Sequence, residues 1–184
     1  DKITEQQNPI SHCIDEKSVS GVLEIINRED LGVPQAVQKS LPMIEIFISD
    51  LIPRCRDGGQ LFYVGSGTSG RLGILDAAEC PPTFRTDPEM VQGIIAGGDD
   101  ALLQSIEGAE DDPEDGAQTI TEHGISDDDI VLGITASSST PFVLGALEQA
   151  KKTGALTGLI ICNKSSPLDY VDYLISIIVG PEVI

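Results

Sequence analysis

Between Ser18 and Asp30 the apolar residues Val22, Leu23, Ile25 and Ile26 recur at helical spacing, and a second helical pattern runs through Val37, Leu41, Ile44, Ile48 and Leu51. The first third of the chain therefore reads as helix. Pro34 suits a first turn, Pro42 and Pro53 are expected to bend or interrupt the second helix, and Gly58-Gly59 to end it. The texture then changes to short apolar runs separated by glycine-rich turns: Leu61 to Val64, Val91 to Ile95, Ile130 to Ile134, Leu156 to Ile161 and Tyr173 to Val179. Runs apolar at nearly every position suit strands covered on both faces, as in parallel sheets with crossover helices. Arg71 to Glu79, roughly Ala101 to His123, and Pro141 to Thr153 supply those helices. The alternation predicts a doubly wound α/β sheet of about five parallel strands flanked by helices, over residues 59–184, with a helical segment over 1–58.

Composition narrows the function classes. The 184 residues suffice for one domain with a helical appendage. Eleven basic against 30 acidic side chains give a net charge of -19, which repels a nucleic-acid backbone and excludes general nucleic-acid binding. Such acidity suits either a salt-rich habitat or simply a solvated surface. No apolar run reaches the ~20 residues of a membrane helix, and the polar opening Asp1 to Asn8 is unlike a secretory signal, so a cytoplasmic protein is expected. Cys13, Cys55, Cys80 and Cys162 stand far apart, and His12 and His123 lack metal-ligand spacing. Neither disulfide, metal nor cofactor is expected.

The candidate chemistry lies at the ends of the predicted strands. Gly65-Ser66-Gly67-Thr68-Ser69-Gly70 closes the first strand and leads into a helix. Glycines there allow close approach, the hydroxyls of Ser66, Thr68 and Ser69 can donate to phosphate oxygens, and a helix N-terminus adds its positive end. The same run reads Gly-x-Gly-x-x-Gly, but no acidic residue follows a second strand where ribose binding would need one, and a plain tight turn also fits. Ser137-Ser138-Ser139-Thr140 follows the third strand, with Thr140-Pro141 reading as N-cap and first helical residue. Two hydroxyl loops at strand C-terminal ends point to one phosphate or phosphosugar site, lined by Ser66, Gly67, Thr68, Ser69, Ser137, Ser139 and Thr140. Arg71 is assigned a structural role, pairing with a nearby Glu or Asp, rather than a phosphate contact, and Cys80, with no histidine placed to activate it, packing rather than nucleophilic attack.

Four motifs in order carry a family resemblance: Tyr63-Val64-Gly65-Ser66-Gly67-Thr68-Ser69-Gly70-Arg71-Leu72-Gly73, Asp76-Ala77-Ala78-Glu79-Cys80-Pro81-Pro82-Thr83-Phe84, Ile95-Ala96-Gly97-Gly98-Asp99-Asp100 and Glu107-Gly108-Ala109-Glu110-Asp111-Asp112. They resemble the N-acetylmuramic acid 6-phosphate etherases, which have the sugar isomerase (SIS) fold. Looser likeness extends from Thr4-Glu5 to the final Gly180-Pro181-Glu182-Val183-Ile184. Glucokinase regulatory proteins share the Gly-Thr-Ser-Gly-Arg and Ala-Gly-Gly-Asp elements, but the Glu-Cys-Pro-Pro run favours the etherases.

The resemblance implies cleavage of the lactyl ether at sugar carbon 3, giving N-acetylglucosamine 6-phosphate and D-lactate without metal or nucleotide. It assigns Glu79 as the acid that protonates departing lactate and Glu110 as the base for the carbon 2 proton. Read from the residues alone, Glu79 is a glutamate late in a helix and Glu110 one of an exposed acidic face. Glu107 falls three residues before Glu110, on a similar face of the expected helix.

Departures from the family pattern are Ser138-Ser139 where Gly-Arg is usual, Arg85 where glycine usually follows Thr-Phe, and Gln7 where arginine commonly precedes Asn-Pro. Family members also continue beyond this chain's last motif. A last strand with nothing to cover it is expected to expose apolar surface that a second copy buries, giving a homodimer. The rival readings are a phosphosugar sensor without catalysis, and an aldose-ketose isomerase of the same fold that leaves Glu-Cys-Pro-Pro unexplained.

Overall fold

The computed structural model describes residues 2–184. Ser18 accepts a hydrogen bond from the Gly21 amide and starts α1 (Val19–Asp30); α2 (Val33–Arg56) follows with Pro34 in its first turn. Five strands alternate with three further helices: β1 (Leu61–Gly65), α3 (Gly67–Phe84), β2 (Val91–Ile95), α4 (Pro113–Glu122), β3 (Ile130–Thr135), α5 (Pro141–Thr153), β4 (Leu156–Ile161) and β5 (Tyr173–Ser176). All pair in parallel in the order β2-β1-β3-β4-β5, with Leu61 opposite both Val91 and Ile130. This is the doubly wound sheet expected.

The pleat divides the core into two layers. Phe62, Val64, Val131, Leu159 and Ile161 point to the side where Phe142, Val143, Ala146 and Leu147 of α5 and Ile120 of α4 complete a dry cluster. Gly116 and Gly145 let α4 and α5 touch, each glycine lying where a side chain would strike the other helix's backbone. On the opposite side Leu61, Ile130, Leu132, Leu156 and Ile175 pack against Phe47 of α2, and α3 covers β1 and β2. Gly93 admits α3 closely, since an added Cβ would lie 2.4 Å from Ile74.

Several local expectations need correction. α2 runs unbroken through Pro42 and Pro53. Each proline removes one amide bond, and anchoring of Ile44, Phe47 and Leu51 on the sheet holds the helix together. α3 is longer than Arg71 to Glu79: the glycine run forms its first turn and Pro81-Pro82 its last. No single helix spans Ala101 to His123. Gly108, at φ 77, separates two 3-10 turns, Asp99–Leu102 and Ala109–Asp111, and α4 then opens at Pro113 behind an Asp112 cap. Glu107 and Glu110 therefore do not share a helix face. β5 is not left bare: Ile175 is buried, Tyr173 meets Phe47 edge-on at 5.7 Å, and the Ser40 hydroxyl donates to Ser176 O. What stays exposed includes Leu23 of α1, Leu41 and Ile46 of α2, and Leu72 and Leu75 of α3, together with Leu103, Val179 and Ile184 outside the helices.

Arg85 ends α3 at φ 57, and Ser138 stands at φ 66, the left-handed region where a Cβ is strained. These are two positions where the family resembled usually has glycine. Arg85→Gly and Ser138→Gly should each stabilise the fold by about 1 kcal/mol, read as a higher midpoint in chemical denaturation.

At the other end of the sheet Asp172 accepts from Lys151 Nζ, from the Thr157 amide at 3.0 Å and from its hydroxyl at 2.9 Å. Burial alone would raise this carboxyl, but these donors outweigh it and hold it below its usual value of 3.8. The folded state thus binds the proton less readily than the unfolded chain, so the contribution is present above that value and lost as pH falls through the lower folded one. Asp172→Asn should cost about 1 kcal/mol at neutral pH, and the gap from the parent should close on acidification below about pH 4.

Candidate functional site

The winding of the sheet reverses between β1 and β3, and the loops leaving these two strands part there to form a crevice. A cleft of about 490 Å³ occupies it, lined from the first loop by Ser66, Gly67, Thr68 and Ser69 and from the second by Ser137, Ser139 and Thr140. The structure thus brings together all seven candidate ligand-binding residues.

The cradle is built from helix starts. The Gly70 amide makes the first bond of the α3 ladder, to Ser66 O at 3.1 Å, so the amides of Gly67, Thr68 and Ser69 precede it. Gly67 takes φ 50, and a Cβ placed on it would meet nothing within 4 Å, which leaves its backbone open to the cleft. Gly65 and Gly70 serve a different need: an added Cβ on Gly70 would lie 2.6 Å from Ile95 and 2.8 Å from Gly65 O. Strand–helix packing, rather than ligand approach, requires those two. α5 opens at Pro141 on the far wall and aims a second helix start at the same space.

The second loop is a chain of hydroxyls. Thr140 occupies the N-cap position of α5 without capping it; its buried hydroxyl pairs with Thr135 Oγ1 at 2.6 Å. Thr135 approaches Ser137, and Ser137 approaches Ser139, each at 3.4 Å. Ser139 accepts from Lys2 Nζ at 2.6 Å.

Glu110 stands at the edge of this cleft, where the Ser66 hydroxyl donates to its Oε2 at 3.0 Å. Both residues also line an adjoining pocket of about 260 Å³ formed with Arg71, Ala96, Ala101 and Glu107. Arg71 donates to Leu102 O at 3.2 Å and Gln104 O at 3.1 Å, so it clamps the segment that leads to Glu110. The role is structural, but its partners are backbone carbonyls rather than the nearby Glu or Asp expected. The Cys80 thiol is raised by burial and by Asp76, which disfavours a thiolate nucleophile.

Glu79 is not at this cleft. It lies 12 residues beyond Gly67 in α3, about 18 Å along the axis, and is exposed. Gly70, Gly73 and Ala77 form the buried face of α3, and Glu79 shares the opposite face with Leu72 and Leu75. One copy of the chain therefore does not unite the two carboxylates.

Sequence reasoning missed Lys2, Thr135, Asp111 and Asn163. The first three line the cleft. Asn163 is 2% exposed and accepts from the Ile3 and Thr4 amides while donating to Thr4 Oγ1 at 2.8 Å and Ala136 O at 2.9 Å. A polar residue directly behind the apolar run of β4 was the available signal, because sites in open sheets collect at that edge. Asn163→Leu should destabilise by about 3 kcal/mol by leaving buried partners unpaired. Denaturant titration measures the loss, and faster proteolysis before Asn8 should accompany it.

The family model of the glucokinase regulatory protein N-terminal SIS domain matches residues 43–151. An N-acetylmuramic acid 6-phosphate etherase of Porphyromonas gingivalis is 50% identical over 185 residues, covering 100% of this chain and 67% of its own length. One from Caldanaerobacter subterraneus is 52% identical over 183 residues, covering 99% of this chain and 60% of its own. The chain thus spans between 60% and 67% of the length of these two relatives. In fold it is similar to a phosphoheptose isomerase from Francisella tularensis, with TM-score 0.59 and 20% identity over 85% of each chain. Matched along its whole length by relatives at this level of identity, the chain belongs to the N-acetylmuramic acid 6-phosphate etherase family and has its SIS fold.

Proposed function

We propose that the protein is an N-acetylmuramic acid 6-phosphate etherase, cleaving the lactyl ether to give N-acetylglucosamine 6-phosphate and D-lactate in the recycling of cell-wall amino sugars. The observation that carries this reading is Glu110, held by Ser66 at the rim of a cradle made from two helix starts and two hydroxyl loops. A phosphate suits the amides of Gly67 to Ser69 and the hydroxyls of Ser137 and Ser139, and binding there sets the sugar beside Glu110.

In the proposed chemistry Glu110 takes the proton from carbon 2 while the bond from carbon 3 to the ether oxygen breaks, leaving a carbon 2–carbon 3 double bond. Glu79 gives a proton to the departing lactate oxygen. Water then adds its hydroxyl at carbon 3 and a proton returns to carbon 2, so one water is consumed per turnover.

The separation of the carboxylates supports a homodimer in which Glu79 reaches the cleft of a second copy. Its face of α3 is suited to such a contact, because Leu72 and Leu75 beside it are 56% and 58% exposed. No metal or nucleotide enters the scheme. The four free thiols fit a reducing compartment, and we place the reaction in the cytoplasm.

The test is D-lactate release from N-acetylmuramic acid 6-phosphate. Glu79→Gln and Glu110→Gln should each lower kcat at least about 100-fold. Mixed and re-equilibrated, the two variants should recover up to about a quarter of parental activity, since half the dimers then hold one intact site of two. Activity without recovery on mixing would break the shared-site arrangement. Tight phosphosugar binding by a protein that releases no lactate would favour the sensor.

A further inference from the structure

The cleft at the β1–β3 reversal presents a difficulty for a phosphate ligand. Glu110 and Asp111 both line it, on a chain whose net charge is -19. The second loop, Ser137 to Thr140, contains no cation, and Arg71 is committed to the carbonyls of Leu102 and Gln104. Among the described lining residues Lys2 alone carries positive charge. It comes from a part of the sequence more than 60 positions before the first loop, so no motif pointed to it.

We propose that Lys2 is the residue by which this cleft distinguishes a phosphorylated sugar from its neutral counterpart, its ammonium pairing with the phosphate. The inference rests on the phosphosugar reading of the cleft. Lys2 is placed rather than merely nearby. The next two amides, of Ile3 and Thr4, donate to Oδ1 of buried Asn163, and Asn163 donates in turn to Ala136 O at the start of the second loop. The main chain behind Lys2 is thereby tied to the wall that its side chain faces. Nζ reaches Ser139 Oγ at 2.6 Å, at the end of the hydroxyl chain from Thr140 through Thr135 and Ser137.

An ammonium has three donors, and the bond to Ser139 uses one. Two N–H groups remain to meet phosphate oxygens, and the Ser139 hydroxyl, accepting from Lys2, still has its own proton to donate. Ammonium and hydroxyl then act together on one anion. The amides of Gly67 to Ser69 hold phosphate by partial charges, and Lys2 adds a whole one that offsets Glu110 or Asp111. A neutral sugar gains nothing from that charge, which is the basis of the discrimination.

Calorimetry on the full chain tests this with N-acetylglucosamine 6-phosphate and unphosphorylated N-acetylglucosamine as probes. Lys2→Met should weaken the phosphosugar about tenfold and leave the neutral sugar unchanged, whereas Lys2→Arg should stay within about threefold of the parent. The parent should also lose phosphosugar affinity more steeply with added salt than Lys2→Met. Parental affinity in Lys2→Met overturns the proposal while leaving the phosphosugar site in place. Equal weakening of both probes also overturns it, since it shows a structural effect of the N-terminal segment. If the parent binds neither sugar phosphate nor sugar, the site reading falls and this inference with it.

Discussion

The reversal of strand order between β1 and β3 is the constraint on which the rest depends. Parallel strands need crossover helices, and right-handed crossovers place those following β1 and β3 on opposite faces of the sheet. α3 leaves β1 toward the face that α2 also covers, and α5 leaves β3 toward the other. The two loops must therefore part, and the gap between them cannot be filled by either helix. Two helix starts and their unbonded amides face that gap as a consequence of winding, before any side chain is chosen. The serines and threonines of both loops adapt an opening that the topology already provides.

The same geometry explains why Glu79 and Glu110 are apart. α3 runs back along the sheet from the cradle, and Glu79 is carried about 18 Å away from Gly67 on a rigid helix. Its orientation is equally fixed, because the glycine-lined face of α3 is pressed on Tyr63 and Ile95 and cannot rotate without collision. Glu110 follows a different route. It arrives on short 3-10 turns held to α3 by Arg71 and to Ser66 by a hydrogen bond, so its place is set by polar contacts at the sheet edge. Under the proposed chemistry, a second copy would reconcile a rigid helix with a shared site.

Much of the fold was legible because parallel-sheet strands, buried on both faces, are nearly continuous apolar runs. Val91 to Ile95 and Leu156 to Ile161 coincide with β2 and β4, and Pro141 to Thr153 with α5. The segment from Ala101 to His123 was misread although its signals were present: Gly108 permits a left-handed turn, and Asp112-Pro113 is an N-cap with a first-turn proline. The prolines of α2 misled in the other direction, since tertiary packing of Phe47 outweighs a local interruption. At the site, the loops were legible through their hydroxyls and glycines. Lys2 was not, because its contact with the cleft spans 137 positions of sequence, and Asn163 offered only its polarity behind β4, its bond to the Ile3 amide spanning 160 positions. The outward face of Glu79 was readable only once Gly70, Gly73 and Ala77 were known to be the buried side of α3.

The central claim is that the opening between β1 and β3 holds the phosphate of a sugar phosphate. A crystal structure of the protein with N-acetylglucosamine 6-phosphate bound tests it most directly. Phosphate oxygens are expected within hydrogen-bonding distance of the amides of Gly67 to Ser69 and of the Ser137 hydroxyl, with the sugar ring beside Glu110. A phosphate seated elsewhere, for example in the groove of about 410 Å³ along the outer edge of β2 by Gly93 and His123, would contradict it.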